Sequence, residues 1–354
     1  MGQLEFASLG RRKVTARFDG GHLTSDAGGL LLSETDARLG LLQRLADCFV
    51  DHRDPRRIEH PVKDLLAQRV YALALGYEDL NDHDALRADP LLALMVGKAD
   101  VTGQDRSRAR DKGKALASAA ALNRLELSHP DRAAADRYKR IGADTGKLDS
   151  LLWDLFIEAH DRAPRRIVLD LDATDDPLHG KQEGRFFHGY YRCYCYLPLY
   201  VFCRDHLLLA RLRSADSDPG AGVAEELSPL IARIRSAWPD AEIVLRADSG
   251  FAREETMAFC EREGIGYVFG LARNPRLQRM LSRALRKSRR RHVATGRPMR
   301  RYRGFSYRTL KTWSRRRRVV GKAEHLAKGP NPRFVVTSLP PARIGKQDLY
   351  EKLY

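Results

Sequence analysis

The sequence predicts an α/β fold, a mixed sheet flanked by helices, with a mostly helical region before it and a strongly basic stretch near its end. Three observations carry this. Through the first 160 residues apolar side chains recur at three- and four-residue spacings. From Arg165 the period shortens into β-branched and aromatic runs interrupted by two helical ones. Between Arg273 and Lys322, 50 residues hold 20 Lys or Arg and not one Asp or Glu.

Taken in order, 30–42 and 62–75 carry helical spacing, Gly76 to Asp82 breaks the second helix, and another begins near His83. Polar stretches at 97–113 and 128–147 read as loops. Helices joined by short breaks leave two readings open, a helix-turn-helix or plain helical packing. Next come a strand over 166–172, an aromatic β-rich run over 189–203 in which Pro198 marks a bulge or strand end, and a third strand from His206. A helix over 222–237, a strand over 242–247, a helix over 253–263 and a strand over 265–271 complete the pattern. The order β-β-β-α-β-α-β is the ribonuclease-H-like topology, with a basic insertion after the fifth strand. Within that insertion 276–291 reads as an Arg-rich helix and 300–313 as a strand-like alternation of basic and aromatic groups; 333–339 then returns to the sheet. The expected divisions are 1–160, 161–272, 273–332 and 333–354.

Composition narrows the class. With 43% hydrophobic and 31% charged residues and no apolar run of membrane-spanning length, the chain reads as a globular protein outside the membrane. Its N-terminus lacks the basic-then-apolar layout of a secretion signal, and five cysteines form no even framework, which fits a reducing cytoplasm. The net charge of +17 comes from the basic stretch alone, because the remainder carries 43 basic against 46 acidic groups. A segment of that kind expects a dense polyanion, since phosphate contacts by Lys and Arg gain affinity through counterion release. Arg289, Arg290, Arg291, Arg300, Arg301, Arg315, Arg316, Arg317 and Arg318 are the candidate backbone contacts. Trp313, with Tyr302, Phe305 and Tyr307, is a candidate for stacking on unpaired bases or for packing within the insertion. His179, Lys181 and Arg185 are weaker phosphate candidates.

Two aspartates carry the chemistry. Asp172 and Asp248 close the first and fourth strands, which are neighbours in this topology, so residues far apart in sequence meet at one sheet edge. Convergent carboxylates of this sort hold Mg²⁺, or Mn²⁺ in its place, against a phosphate. Asp170 shares a strand face with Asp172 and competes with it as a metal ligand, and Asp175 and Asp176 lie just beyond. For Asp248 the competing role is a turn cap. The group His188, Cys193, Cys195, Cys203 and His206 invites a zinc reading, but Cys-x-Cys within a strand lacks the knuckle spacing of structural zinc, so buried apolar cysteines are expected.

Several motifs together resemble one family. They are Phe18-Asp-Gly-Gly-His-Leu-Thr-Ser-Asp-Ala-Gly-Gly, Gly76-Tyr-Glu-Asp-Leu-Asn-Asp-His-Asp-Ala-Leu-Arg-Ala-Asp-Pro, Leu169-Asp-Leu-Asp-Ala-Thr-Asp-Asp-Pro-Leu-His-Gly, the run from Gly189-Tyr-Tyr to Tyr200, and Ala247-Asp-Ser-Gly-Phe. The combination resembles DDE-type insertion-sequence transposases, specifically the 1380-type insertion-sequence family within the IS4-like superfamily. That resemblance implies metal-dependent cleavage and strand transfer of double-stranded DNA at terminal inverted repeats, with target DNA as second substrate and a homo-oligomer assembled on DNA. It implies a bacterial, nucleoid-associated protein whose region 1–160 is a candidate for DNA-end binding. It assigns Asp172 and Asp248 as the first two catalytic acids. The third is a Glu in the pattern Tyr-x-x-Arg-x-x-x-Glu; Tyr354 fits that tyrosine and ends the sequence, so the expectation is a chain that stops before its third acid. Glu351 is a poor stand-in. Two alternatives stay beside the transposase reading: a non-catalytic DNA-binding fragment, and a ribonuclease-H-like nuclease.

Overall fold

The computed structural model describes residues 4–9, 11–16, 24–127, 131 and 133–354. The start of the motif at Phe18, and residues 128–130 and 132 of the second predicted loop, lie outside the described residues. The chain divides into two compact units, Met1–Leu151 and Leu152–Tyr354.

The first unit is organised around the helix Val62–Ala74. Its Tyr71 and Ala72 pack with Leu42, Leu92 and Met95, while Leu65 and Leu66 pack with Leu122 and Leu125. Between these apolar groups Gln68 is buried and fully used: its amide nitrogen donates to the Ala117 carbonyl at 2.9 Å, and its oxygen accepts from the Ala117 N–H at 2.9 Å. The helix expected over 30–42 is two helices, Gly29–Leu39 and Leu41–Ala46. Gly40 takes a left-handed φ of 63° and closes the first by donating its N–H to the Asp36 carbonyl. This unit also contains two short strand pairs that helical periodicity did not reveal, Leu4–Leu9 with Arg12–Ala16 and Phe49–Asp51 with Ile141–Ala143.

In the second unit eight strands form one mixed sheet. They are β1 (Arg166–Ala173), β2 (Leu199–Cys203), β3 (His206–Arg211), β4 (Glu242–Ala247), β5 (Gly266–Leu271), β6 (Met299–Tyr307), β7 (Arg317–Leu326) and β8 (Gly329–Thr337). Their spatial order is β3-β2-β1-β4-β5-β8-β7-β6. Parallel pairing joins β1 to β4 and β4 to β5, and every other pair is antiparallel. The unit's helices include α1 (Val223–Ala237), α2 (Glu254–Arg262) and α3 (Pro275–Thr295). This mixed α/β sheet is compatible with a ribonuclease-H-like fold.

Alternation along β1 buries Ile167, Leu169 and Leu171 on one face of the sheet. There they join Leu230, Ile231 and Ile234 of α1, Phe259 of α2 and Leu277 and Leu281 of α3 in the main core. Each such fully buried side chain contributes about 1.5–3 kcal/mol of transfer free energy. On the opposite face Val168, Val244, Val268, Val320 and Val335 pack with Leu349 and Leu353 from the end of the chain. That second face is the one on which Asp170 and Asp172 stand.

Two sequence expectations change. The aromatic run 189–203 is not one strand: Cys193–Tyr196 belongs to a separate three-stranded sheet with Asp176–Pro177 and Phe186–His188, and Pro198 separates it from β2. The basic stretch supplies strands to the main sheet, where β7 opens on the arginine run and continues through buried Val319, Val320 and Ala323. Gly321 lets α3 lie directly on β7, because a Cβ there would come within 2.9 Å of Leu281.

Candidate active site

Parallel pairing of β1 and β4 aligns Asp170 with Arg246 and Leu171 with Ala247. One residue further along each strand come Asp172 and Asp248, both exposed. Neighbouring strands lie about 4.8 Å apart, so the register sets the two acids side by side. A tyrosine senses both: burial first, then Asp175, Asp248 and Asp172, push the Tyr191 hydroxyl above its ordinary value.

Asp170 and Asp172 share a face but not a situation. Both oxygens of Asp170 accept hydrogen bonds from Arg246, the Nη2 contact measuring 2.7 Å. Arg246 also donates through Nη1 to the Leu353 carbonyl at 3.0 Å, tying the end of the chain to the acid-bearing strands. Asp170, the alternative metal ligand by sequence, is therefore engaged as an ion-pair partner. Asp172 has no cation partner among the described residues.

Asp248 does cap a turn: its Oδ1 accepts from the Gly250 N–H at 2.8 Å at the start of the 3₁₀ turn Ser249–Phe251. One lone-pair direction is thus used and the second oxygen is left for a ligand. Close packing holds this corner, since a Cβ at Gly270 would meet the Tyr354 hydroxyl at 2.6 Å and the Ser249 nitrogen at 2.9 Å. A cleft of about 900 Å³ opens here, lined by Asp248, Arg273, Lys322, Arg333, Tyr190 and Tyr354 among others. Cations beside a carboxylate suit a ligand that carries both phosphates and a metal.

The oxygen-only pair Asp172 and Asp248 fits a hard divalent cation, though two carboxylates make only part of a two-metal site. No group of three or more metal-ligating side chains occurs among the described residues. Glu351 does not join the pair: its oxygens accept from the Tyr302 hydroxyl at 2.7 Å and the Gln347 amide at 2.8 Å. Of the zinc reading, His188, Cys193 and Cys195 share the small three-stranded sheet, with His188 opposite Cys193, while Cys203 and His206 lie elsewhere, and no metal-holding group forms among the described residues. Cys195 sits with Leu197 and Ala215, Cys203 in the main core, His206 against Phe156, and His188 against Tyr191.

The arginines singled out in the sequence separate into two groups. Arg289, Arg290 and Arg291 on α3, with Arg301 and Arg316, are exposed. Arg317 is buried and bound by two glutamates, Glu254 at 2.7 Å and Glu261 at 2.8 Å. Arg315 also pairs with Glu261, and Arg300 with buried Glu324 at 2.6 Å. Arg318 donates to the carbonyls of Leu339 and Ile344. Trp313 is buried, edge-on to Tyr307 at 5.7 Å, and Tyr307 is buried too. For Arg317 the surface role read from sequence gives way to a role inside the fold, because its glutamates lie far away in the chain, and for Trp313 the packing alternative holds, against Tyr307. Of the weaker phosphate candidates, His179 and Lys181 are exposed, and Arg185 stacks on Tyr194 at 4.6 Å.

No helix among the described residues is long and apolar enough to cross a membrane. A search of curated proteins finds no match. Residues 6–354 match the family described as Transposase DDE domain group 1. With nearly the whole chain covered by that match, the protein belongs to this family of DDE transposases.

Proposed function

We propose that this chain carries the DNA-cleaving site of an insertion-sequence transposase of the 1380 type, acting at terminal inverted repeats. The observation that carries this reading is the register of β1 and β4, which brings Asp172 beside Asp248, itself a lining residue of a cationic cleft. Asp172 and Asp248 would hold Mg²⁺ or Mn²⁺, which when bound supplies Lewis-acid activation of a water or 3′-hydroxyl and of the leaving oxygen. Arg273 and Arg333 hold the phosphates of the strand being cut. The exposed arginines of α3, with Arg301 and Arg316, grip flanking duplex, and assembly of more than one copy on the DNA juxtaposes two ends. Asp170 positions Arg246 and, through it, the segment ending at Tyr354. The domain roles follow: 1–160 binds element ends, 161–272 carries the acids, and 273–332 supplies both duplex contacts and added strands.

A second reading has its own observation. Among the described residues no third carboxylate joins Asp172 and Asp248, so a protein that occupies element ends without cutting them is the natural rival. Incubating the chain with a labelled terminal-repeat duplex and Mn²⁺ separates the two. Nicking that disappears in Asp172→Asn and in Asp248→Asn supports the transposase site. Repeat binding without nicking supports the binding protein, and cutting of RNA–DNA hybrids regardless of the repeat would point to a nuclease unrelated to transposition.

A further inference from the structure

Between β1 and β2 the chain forms the small sheet of Asp176–Pro177, Phe186–His188 and Cys193–Tyr196. One side of it is anchored, with Cys195 fully buried beside Leu197 and Ala215. The other side is aromatic and open. Phe187 stands opposite Tyr194 across the hairpin with ring centroids 5.5 Å apart, and the Arg185 guanidinium lies over the Tyr194 ring at 4.6 Å. Phe187 and Tyr194 are about half exposed, and Tyr190, in the turn, is 84% exposed; Phe186, opposite Cys195, stands on the anchored side. Three open rings, Phe187, Tyr194 and Tyr190, forgo burial worth about 25 cal/mol per Å² of apolar surface, and such clusters mark contact sites.

Position and charge indicate the occupant. Tyr190 lines the same cleft as Asp248. Its neighbour Tyr191 responds electrostatically to Asp248 and Asp172. Exposed Lys181 and Arg192 and half-exposed Arg185 add positive charge around the rings. We infer that this hairpin is a clamp for unpaired nucleobases: Tyr190 stacks on a base next to the phosphate that the cleft's arginines hold beside Asp248, and Phe187 with Tyr194 offers a second platform. Unpaired bases are specified because an aromatic face can stack only where a base's own face is open, at a frayed end, an overhang or an extruded nucleotide. The inference rests on the DNA reading above and adds to it the state of the DNA that the site selects. It also relocates the base-stacking role that the sequence suggested for Trp313 and Tyr307, both of which are buried.

The test compares the affinity of the full chain for one labelled duplex in two forms, blunt and bearing a short single-stranded 3′ overhang. A stacked base is worth about 1–3 kcal/mol, so the overhang should bind roughly 5- to 150-fold more tightly. Tyr190→Ala should cut that ratio by at least about fivefold and Tyr190→Phe should keep it, because the phenyl face still stacks. A 2-aminopurine in the overhang should be quenched by the native chain and by Tyr190→Phe, and less by Tyr190→Ala. Binding to both DNAs with a ratio near one, or a ratio untouched by Tyr190→Ala and Phe187→Ala, overturns the clamp while leaving the DNA reading standing. No binding to either DNA overturns both. If these variants change sedimentation of the protein but not the ratio, the aromatic face belongs to a second copy of this chain and the clamp is wrong.

Discussion

Charge is handled in opposite ways at two places in the second unit. At the end of β1 and β4, Asp172 and Asp248 stand adjacent with no cation paired to either among the described residues. At the start of β7, four consecutive arginines are met by protein oxygens in three cases out of four, Arg316 being the exception among the described residues. Where the fold supplies its own counter-charge, the side chain is part of the architecture. Where it leaves like charges side by side and open, they stay available to a ligand. Asp170 shows the difference over two residues, since Arg246 takes it and leaves Asp172.

The largest effect should come from the compensated side. Arg317→Ala leaves Glu254 and Glu261 facing each other at a buried position, which costs roughly 3–5 kcal/mol. Urea unfolding measures it, and a loss below about 1 kcal/mol would mean that the pairs are ornamental. Acid titration sharpens the same point. Hydrogen bonds from Arg317 and Ser314 outweigh burial and hold Glu254 at about 2, below the ordinary value of 4.5. Its contribution is therefore full above the unfolded carboxylate's range and is lost as pH falls from about 4.5 towards about 2. Each pKa unit corresponds to ~1.4 kcal/mol, so native protein should lose on the order of 2–3 kcal/mol across that window. Arg317→Ala should lose distinctly less there, and identical acid limbs would show that the pair does not hold Glu254 ionised.

The open side should respond in binding rather than in stability. Replacing Arg289, Arg290 and Arg291 with Ala should change unfolding by no more than about 0.5 kcal/mol. It should also lower the slope of log affinity against log salt by about 0.9 for each phosphate that is no longer neutralised. A slope that stays put would take α3 out of the duplex interface.

How much of this was legible in the sequence follows from the range of the interactions involved. Strand β4 coincides with the β-branched run that predicted it, because alternation and strand length are local properties. The meeting of Asp172 with Asp248 was also legible, through topology rather than through either motif alone. The break at Gly40 is legible only with the knowledge that its φ is positive, and the break at Pro198 was flagged without showing that two different sheets lie on either side of it. Arg317 was misread for a physical reason: its glutamates lie on α2, more than fifty residues earlier, so counting charges within 273–322 could not find them. Trp313 differs: it packs on Tyr307, six residues earlier, which is the packing within the insertion that the sequence left open. The aromatic hairpin was legible as β-rich but not as exposed, since alternation does not say which face of a small sheet is covered.

In the proposed site Asp172 and Asp248, not Asp170, form the metal-binding edge. Calorimetric titration of the chain with Mn²⁺ tests this most directly, comparing Asp172→Asn, Asp248→Asn and Asp170→Asn with the native protein. The expected result is at least tenfold weaker binding, about 1.4 kcal/mol, for the first two with the fold retained, and affinity within about twofold of native for Asp170→Asn. Loss of Mn²⁺ binding in Asp170→Asn, with unchanged titrations for the other two, would contradict it.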